Sequence, residues 1–231
     1  MSDLPEKLFR DPIWNSLRTT QNHFAIAAGE AVRYPADVVP FAAVATLQPE
    51  TLRQLRTLLG REESVWIATE EKPDSPDLVY EDTIQCFQMV LPQEVTPPAP
   101  TMELEKLSEA HAQEMVVLTT LAFPVYFRAR TCEMGTYYGV RSPAGELIAM
   151  GGERFKLEEY SEISAVCTHP DFRGRGLAAN IMWQIVRDHR RDGIVSWLHV
   201  GCKNTRAVKL YNRMGFEIVR TITLHRLSTK N

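Results

Sequence analysis

The stretch that decides the fold runs from Val166 to Ala179 and reads Val-Cys-Thr-His-Pro-Asp-Phe-Arg-Gly-Arg-Gly-Leu-Ala-Ala. It places an apolar strand end, a short basic loop with two glycines and the start of an amphipathic helix in direct succession. The N–H groups of a first helical turn lack intrahelical partners, and the helix dipole favours an anion beside them. Gly174 and Gly176 let phosphate oxygens approach the backbone, and Arg173 and Arg175 add positive charge. The stretch therefore predicts a pyrophosphate site.

The composition of the whole chain is that of an ordinary globular protein. Its 231 residues are 44% hydrophobic and 24% charged, with a formal net charge of −3. This balance gives no electrostatic case for nucleic acid as a partner, and no apolar run is long enough to span a membrane. The four cysteines form no CxxC pair and have no histidine at ligand spacing, so we expect neither disulfides nor a metal site. The N-terminus lacks the apolar core of a signal peptide, so we expect a cytoplasmic protein.

A proline-rich segment divides the chain. Residues 95–100 read Val-Thr-Pro-Pro-Ala-Pro, a sequence that suits neither a helix interior nor a central strand and predicts a stiff linker. Two glycines precede this segment and ten follow it. We therefore predict an N-terminal α/β domain over residues 1–96 and a second domain over residues 97–231. The first part has no basic glycine loop, so we expect it to be structural or to shape a substrate cleft.

The second part shows the clearer pattern of elements. The predicted order is a strand over 102–107, a helix over 108–122, a hairpin over 136–149, a strand over 162–168, a helix after the glycine loop, a strand over 195–200, a helix over 204–214 and strands over 216–219 and 221–227. Strands and helices in this order predict an α/β fold with a mixed, mostly antiparallel sheet that is flanked by helices.

The glycine loop also matches a second pattern. Residues 174–179 fit G-x-G-x-x-A, the fingerprint of a dinucleotide site. That fingerprint follows its strand directly, whereas five residues separate Thr168 from Gly174. It also needs an acidic residue at the end of the next strand to bind a ribose hydroxyl, and the strand over 195–200 has none. We therefore disfavour a dinucleotide site.

Two signatures together resemble the GNAT superfamily of N-acetyltransferases. The cofactor motif of that family, Gln/Arg-x-x-Gly-x-Gly/Ala, is matched at each specified position by residues 173–178. Its C-terminal signature is an Asn, a Tyr seven residues later and then Gly-Phe, which Asn204, Tyr211 and residues 215–216 match. The resemblance covers roughly residues 102–227 and leaves open that the N-terminal part is a degenerate copy of the same domain.

The resemblance implies acetyl-coenzyme A as co-substrate and an amine as acceptor. It implies that the strand end at Val166, Cys167 and Thr168 pairs with the pantetheine arm and that Asn204 holds the cofactor near its thioester. It also implies a pyrophosphate wrapped by Arg173, Gly174, Arg175, Gly176, Leu177, Ala178 and Ala179. Tyr211 is implied to protonate the leaving thiolate.

Glu162 is one candidate for the base that takes the amine proton. An attacking amine must be neutral, and most amines are protonated at pH 7, so some group must accept that proton. Glu162 lies eleven residues before Arg173, where histone-type members of the family carry a catalytic glutamate. Strand alternation places it on one face with Val166 and opposite Cys167, which we expect to pack as a small apolar residue. We expect a partly buried carboxylate with a raised pKa, although a solvated glutamate at a strand end fits the pattern equally.

His199 is the other candidate base. It lies five residues before Asn204, where ribosomal-protein-type members of the family carry a glutamate. A histidine titrates near neutral pH and could accept the proton, or it could be a hydrogen-bonded histidine within the sheet. One group of aromatic residues could line the acceptor pocket, although aromatic clusters more often pack in a core, namely Phe123, Tyr126, Phe127, Tyr137 and Tyr138. Glu153, Glu158 and Glu159 could make the acceptor site attractive to an amine or could equally form a solvated loop face.

The sequence therefore predicts acetyl transfer from acetyl-coenzyme A to a primary amine by direct attack. The acceptor could be a small molecule or a protein. Two alternatives stay open, namely a non-catalytic module that senses acyl-coenzyme A and an acyltransferase that uses a longer acyl chain. The pattern of residues predicts neither the identity of the amine nor the oligomeric state.

Overall fold

The computed structural model describes residues 9–122 and 126–229. Its helices are α1 (Pro12–Arg18), α2 (Pro49–Thr57), α3 (Ala112–Ala122), α4 (Leu177–Arg191) and α5 (Thr205–Arg213). Its strands are β1 (Ile26–Ala28), β2 (Ala31–Arg33), β3 (Ala42–Val44), β4 (Ser64–Ala68), β5 (Leu78–Val90), β6 (Glu105–Leu107), β7 (Tyr137–Arg141), β8 (Leu147–Leu157), β9 (Tyr160–Thr168), β10 (Val195–Gly201) and β11 (Glu217–Thr229).

The strands form two sheets. The large sheet has eight strands in the order β4-β11-β5-β10-β9-β8-β7-β6, and β1, β2 and β3 form a separate antiparallel sheet. Neighbours in the large sheet run antiparallel except β9 and β10, which are parallel. The prediction of an α/β fold with a mixed, mostly antiparallel sheet is therefore confirmed. In the two described ranges, no helix combines the length and the apolar character needed to cross a membrane.

The proline segment at residues 95–100 does not interrupt the large sheet. Strands β4 and β5 precede this segment in the chain, and β5 lies between β10 and β11, which follow it. The two parts of the chain thus contribute to one sheet. Whether residues 1–96 and 97–231 can fold as separate domains stays a prediction.

One of the predicted strand boundaries is wrong. The two closing strands expected at 216–219 and 221–227 are a single strand, β11, which pairs with β5 along its length. A register shift between Ile218 and Arg220 marks a bulge where the sequence pattern indicated a break.

Helices and additional strands cover both faces of the large sheet. On one face, α4 buries Leu177, Ile181 and Ile185 in a cluster that also contains Leu198 and Val200 of β10. The other face is covered by α1, α3 and the small sheet, with clusters that include Phe41, Phe155 and Trp197. Burial on both faces explains why the central strands are so apolar.

Strand β9 contains a bulge that changes which way its side chains point. Ala165 has a backbone φ of 53°, and the pairing with β8 shifts register between Ser164 and Cys167. Ile163 and Val166 both pack on the α4 face although they are three residues apart. Cys167 instead packs on the α3 face, and burial raises the pKa of its thiol to about 12. We expected Val166 on the same face of β9 as Glu162 and Cys167 on the opposite face. Both expectations are wrong, because the bulge exchanges the faces of these two residues.

Candidate active site

A cleft opens where strands β9 and β10 separate. The two strands pair over Tyr160–Glu162 and Val195–Trp197, and no further pairs follow along the described strands. Beyond that point, residues 163–168 of β9 and 199–201 of β10 line one cavity of about 1040 Å³. The splayed strands leave room for a narrow, extended group between them.

The glycine loop forms one end of this cavity. Gly174 and Gly176 have φ values of 83° and 77°, a left-handed conformation that glycine adopts without steric cost. A Cβ atom built on Gly174 would meet no atom within 4 Å, so the space over the loop is open. Gly176 caps α4 without a side-chain hydrogen bond, which leaves the N–H groups of the first turn free of a side-chain acceptor. The loop and the helix start, residues 173–179, all line the cavity.

The arginines of the loop are held loosely at the surface. Arg173 Nε donates to the Thr168 carbonyl at 3.3 Å, and an Arg175 guanidinium nitrogen donates to the Asp171 carbonyl at 3.4 Å. The Arg175 guanidinium also lies 4.8 Å from the ring centre of Phe172. Among the described residues, no carboxylate forms an ion pair with either guanidinium group, an arrangement that suits an anion site.

The positive end of the cavity extends onto α5, which the sequence analysis did not anticipate. Arg206, Lys209 and Arg213 line the cavity, and none forms an ion pair with another described residue. Their spacing along one helix face could have signalled this wall. No Asp or Glu is among the described residues that line the cavity.

Asn204 and Tyr211 both line the cavity. The Asn204 side chain accepts a hydrogen bond from the Ala207 N–H at 3.2 Å and so caps α5, a structural role that the sequence analysis missed. The Tyr211 ring is half-buried, 6.1 Å from the ring of Phe216. Burial raises the pKa of Tyr211 to about 12, so its hydroxyl keeps its proton at neutral pH and can donate it.

Glu162 lies behind the cavity wall and belongs to a buried ion pair. Arg154 donates to both carboxylate oxygens, at 2.8 Å and 2.6 Å. Burial raises the pKa of Glu162, but the Arg154 charge and its hydrogen bonds, together with His199, outweigh that effect and lower the pKa to about 2. The expected raised pKa is wrong because Glu162 pairs with the arginine of the neighbouring strand, a contact that the local sequence pattern does not signal. A carboxylate held in this way is a poor base.

His199 lines the cavity and connects this ion pair to β5. Its Nδ1 lies 2.8 Å from a Glu162 oxygen, and its Nε2 lies 3.0 Å from the Gln88 amide nitrogen. Because the ionised Glu162 carboxylate can only accept a hydrogen bond, Nδ1 carries the proton that it donates to Glu162, and the neutral imidazole then has its lone pair on Nε2. The Gln88 oxygen is buried and has no partner among the described residues. The pairing of His199 with Gln88 is a contact between distant parts of the chain, which the sequence pattern did not signal.

The residues that the sequence suggests for an acceptor pocket do not lie together in the structure. Tyr126 lines the cavity, whereas Phe127 and Tyr137 are buried in the core and Tyr138 donates to Asp188 at 2.5 Å. Phe123 lies outside the described residues. Glu153 and Glu158 line a second cavity of about 370 Å³, and Glu159 is exposed. These three glutamates therefore do not line the cavity of the glycine loop, and the alternative of a solvated loop face fits the exposed Glu158 and Glu159.

Glu153 has a partner set of its own. It accepts from the Ser161 hydroxyl at 2.7 Å and lies 3.1 Å from His189 Nε2. Burial raises the pKa of Glu153, but His189, Lys156 and the Thr136 N–H outweigh it and lower the pKa to about 2. In the described ranges, no group of three or more His, Cys, Asp or Glu side chains is placed to hold a metal ion.

The cavity has the features that an acyl-coenzyme A requires. Free first-turn amides and unpaired cations suit a diphosphate, and the gap between β9 and β10 suits a pantetheine arm. Tyr211, which could protonate a thiol leaving group, lines the same cavity. On these grounds the residues present fit this co-substrate.

Comparisons with a family model and with solved structures all match this chain to proteins of one family. The FR47-like protein family model matches residues 137–224. A structure described as an acetyltransferase from the GNAT family of Novosphingobium aromaticivorans is 31% identical, with a TM-score of 0.87 over 96% of this chain and 99% of that chain. A GCN5-related N-acetyltransferase from Kribbella flavida shares the fold at 16% identity, with a TM-score of 0.63 over 100% and 97% of the two chains.

A third structure, a GCN5-related N-acetyltransferase-like protein from Streptococcus suis, is 11% identical, with a TM-score of 0.61 over 98% of this chain and 95% of that chain. The similarity to the Kribbella and Streptococcus proteins, at 16% and 11% identity, shows a common fold alone. The 31% identity to the Novosphingobium protein, over nearly the full length of both chains, shows the family as well. It agrees with the loop and helix signatures read from the sequence, and this chain belongs to the GNAT family of acetyltransferases.

Proposed function

We propose that this protein transfers an acetyl group from acetyl-coenzyme A to a primary amine by direct attack. The observation that carries the proposal is one continuous cavity that reaches from the glycine loop to His199 and Tyr211. A cationic, amide-rich end and an end with acid and base groups are what acyl transfer from a phosphorylated carrier needs.

The binding residues divide the carrier between them. Residues 173–179 would hold the diphosphate, and the splayed backbone of residues 166–168 would pair with the pantetheine arm. Asn204, whose side-chain oxygen caps α5, would contribute its side-chain nitrogen near the thioester end. The co-substrate supplies an acyl group activated as a thioester.

Two side chains would move protons on either side of the reacting carbonyl. Tyr211, with its pKa raised by burial to about 12, would protonate the departing thiolate. His199 would accept the amine proton at Nε2 after the Gln88 amide turns away, while Glu162 holds Nδ1–H in place. Glu162 thereby acts through His199 as a positioning residue. A backbone N–H of residues 166–168 is the proposed donor to the oxyanion.

Thiol release measured with a panel of primary amines tests this proposal. We expect Tyr211→Phe to lower turnover about a hundredfold to ten-thousandfold, the range for loss of an acid catalyst, with coenzyme A affinity unchanged by calorimetry. Tyr138→Phe is the matched control, because Tyr138 bonds to Asp188 and lines the second cavity. Equal turnover in Tyr211→Phe and wild type would remove Tyr211 from the mechanism.

Direct attack has a separate kinetic signature. Both substrates must be bound together in direct attack. Double-reciprocal plots of initial rate against amine concentration, measured at several acetyl-coenzyme A concentrations, should therefore intersect. Parallel plots would instead indicate a covalent acyl-enzyme. Mass spectrometry of the protein after incubation with acetyl-coenzyme A alone should show no added acetyl group.

A further inference from the structure

The cavity continues beyond His199 into an apolar chamber. We define the inner chamber by Phe41, Ile84, Cys86, Ala122, Tyr126 and Leu224, all of which line the cavity. Phe41 and Tyr126 stack with ring centres 5.6 Å apart, and Ile84 lies directly opposite Leu224 on the paired strands β5 and β11. The chamber is thus a compact wall of aromatic and aliphatic side chains.

The charged groups of the cavity are distributed unevenly. The lining cations that form no ion pair with a described carboxylate, among them Arg173, Arg206 and Lys209, lie at the glycine loop and on α5. At the inner chamber the charged lining residue is Arg154, whose guanidinium is bound to Glu162 and lies 4.8 Å from the ring centre of Phe41. Since no described lining residue is acidic, an ammonium group buried in the inner chamber would have no counter-ion on its wall.

From this distribution we propose a substrate class for the acceptor, an inference that rests on the proposed acyl transfer. The acceptor is a primary monoamine with an apolar alkyl or arylalkyl body, which the inner chamber holds while its amine faces His199. Diamines, polyamines and aminoglycosides are excluded because a second ammonium would be buried unpaired. Free amino acids are disfavoured because the Glu162 carboxylate already neutralises the charge of Arg154, so no net positive charge is left in the inner chamber for their carboxylate.

The amine body, rather than the acyl chain, is the occupant that the geometry favours. His199 and Arg154 border the inner chamber, and His199 is the group that must lie against the attacking nitrogen. The body attached to that nitrogen therefore reaches the inner chamber first. A long acyl chain would compete for the same volume.

A series of amines measured on the wild-type protein tests the proposal. With acetyl-coenzyme A, kcat/KM should rise roughly fourfold per methylene from ethylamine to hexylamine, as the chain is removed from water. Phenylethylamine should exceed ethylamine by about tenfold or more, and 1,6-diaminohexane should fall below hexylamine by about tenfold or more. Equal rates along the series, or preference for the diamine or for glycine, would overturn the proposal. So would a rate that rises with acyl length from acetyl- to hexanoyl-coenzyme A but not with amine length.

A charge placed in the inner chamber should reverse the selectivity. Ile84 is half-buried at the chamber wall, so Ile84→Glu adds a counter-ion there, and Ile84→Gln is the matched neutral control. The ratio of kcat/KM for hexylamine over 1,6-diaminohexane should fall at least tenfold in Ile84→Glu relative to Ile84→Gln. An equal ratio in the two variants would contradict the proposal. If neither variant folds, the wild-type series still decides.

Binding without turnover separates this inference from the proposed function. Phenylethylamine titrated calorimetrically into protein saturated with coenzyme A should bind more tightly than ethylamine, by about tenfold. If such binding is seen but no amine releases thiol, the proposed acyl transfer fails. If thiol is released with hydrophilic amines and phenylethylamine does not bind, the chamber assignment fails and the acyl transfer stands.

Discussion

The Glu162→Gln substitution should destabilise the protein far more than a typical change of charge. Glu162 is buried, and Arg154 and His199 both hydrogen-bond to its carboxylate. Glutamine keeps the shape but removes the negative charge, so the Arg154 guanidinium would remain buried without compensation.

The pKa of Glu162 sets the size of the effect. A pKa of about 2 in place of the ordinary value of 4.5 corresponds to about 3 kcal/mol of stability at neutral pH. Removing one partner of a buried ion pair generally costs about 3 to 5 kcal/mol. We therefore expect the free energy of unfolding of Glu162→Gln to be lower by about 3 kcal/mol or more.

Urea denaturation followed by circular dichroism measures this loss, and a double-mutant cycle isolates its cause. In Glu162→Gln combined with Arg154→Met, no unpaired charge remains, so the double variant should lose at least 2 kcal/mol less than the sum of the single variants. Additive single effects would refute the ion pair as the source of the stability.

The same pair predicts the pH dependence of stability. Because folding lowers the pKa of Glu162, its contribution is present above about pH 4.5 and is lost as the pH falls from about 4.5 to about 2. The difference in unfolding free energy between wild type and Glu162→Gln should shrink across that interval. A difference that stays constant from pH 5 to pH 2.5 would contradict the account.

Three further predictions concern the loop, α5 and the N-terminal part. Gly176→Ala forces a left-handed φ of 77° on an alanine, which should destabilise the protein by about 1 kcal/mol. The Tm in a thermal scan should fall by roughly 2–4 °C, and an unchanged Tm would contradict the predicted backbone strain. Arg206→Gln with Lys209→Gln should weaken coenzyme A binding about tenfold at low salt, with the difference shrinking as salt is added in calorimetric titrations; equal affinities would remove α5 from the site. A fragment that begins at residue 97 lacks β4 and β5 and should aggregate in size-exclusion chromatography, because it exposes the edges of β10 and β11; a folded, monodisperse fragment would instead support two independent domains.

The loop and the helix that follows it could be predicted from sequence because their signals are local. Glycines at 174 and 176 mark positions of left-handed backbone, and the apolar spacing of α4 gives its buried face directly. The loop conformation and the buried face of α4 could therefore be predicted from one short segment.

The bulge in β9 could not be predicted in this way. Its left-handed residue is Ala165, and alanine gives no signal for a positive φ. Without the bulge, alternation assigns Val166 and Cys167 to the wrong faces of the strand. A single residue in an uncommon conformation thus reversed part of the predicted site.

The pKa of Glu162 depends on contacts with residues of other strands. Arg154 lies on the neighbouring strand β8. The β8–β9 pair shifts register between Glu153 and Lys156, so counting residues back from the hairpin turn does not predict that Arg154 meets Glu162. Gln88 comes from the part of the chain that precedes the proline segment and meets His199 across the β5–β10 pair. Contacts of this kind are set by sheet assembly, and no local pattern carries them.

A crystal structure of the protein with coenzyme A tests the central claim most directly. We predict that the diphosphate lies about 3 Å from backbone nitrogens in the segment 174–178 and that the pantetheine arm runs between β9 and β10 toward Tyr211. A coenzyme bound elsewhere, or a gap between β9 and β10 that stays empty at saturating coenzyme, would contradict the account.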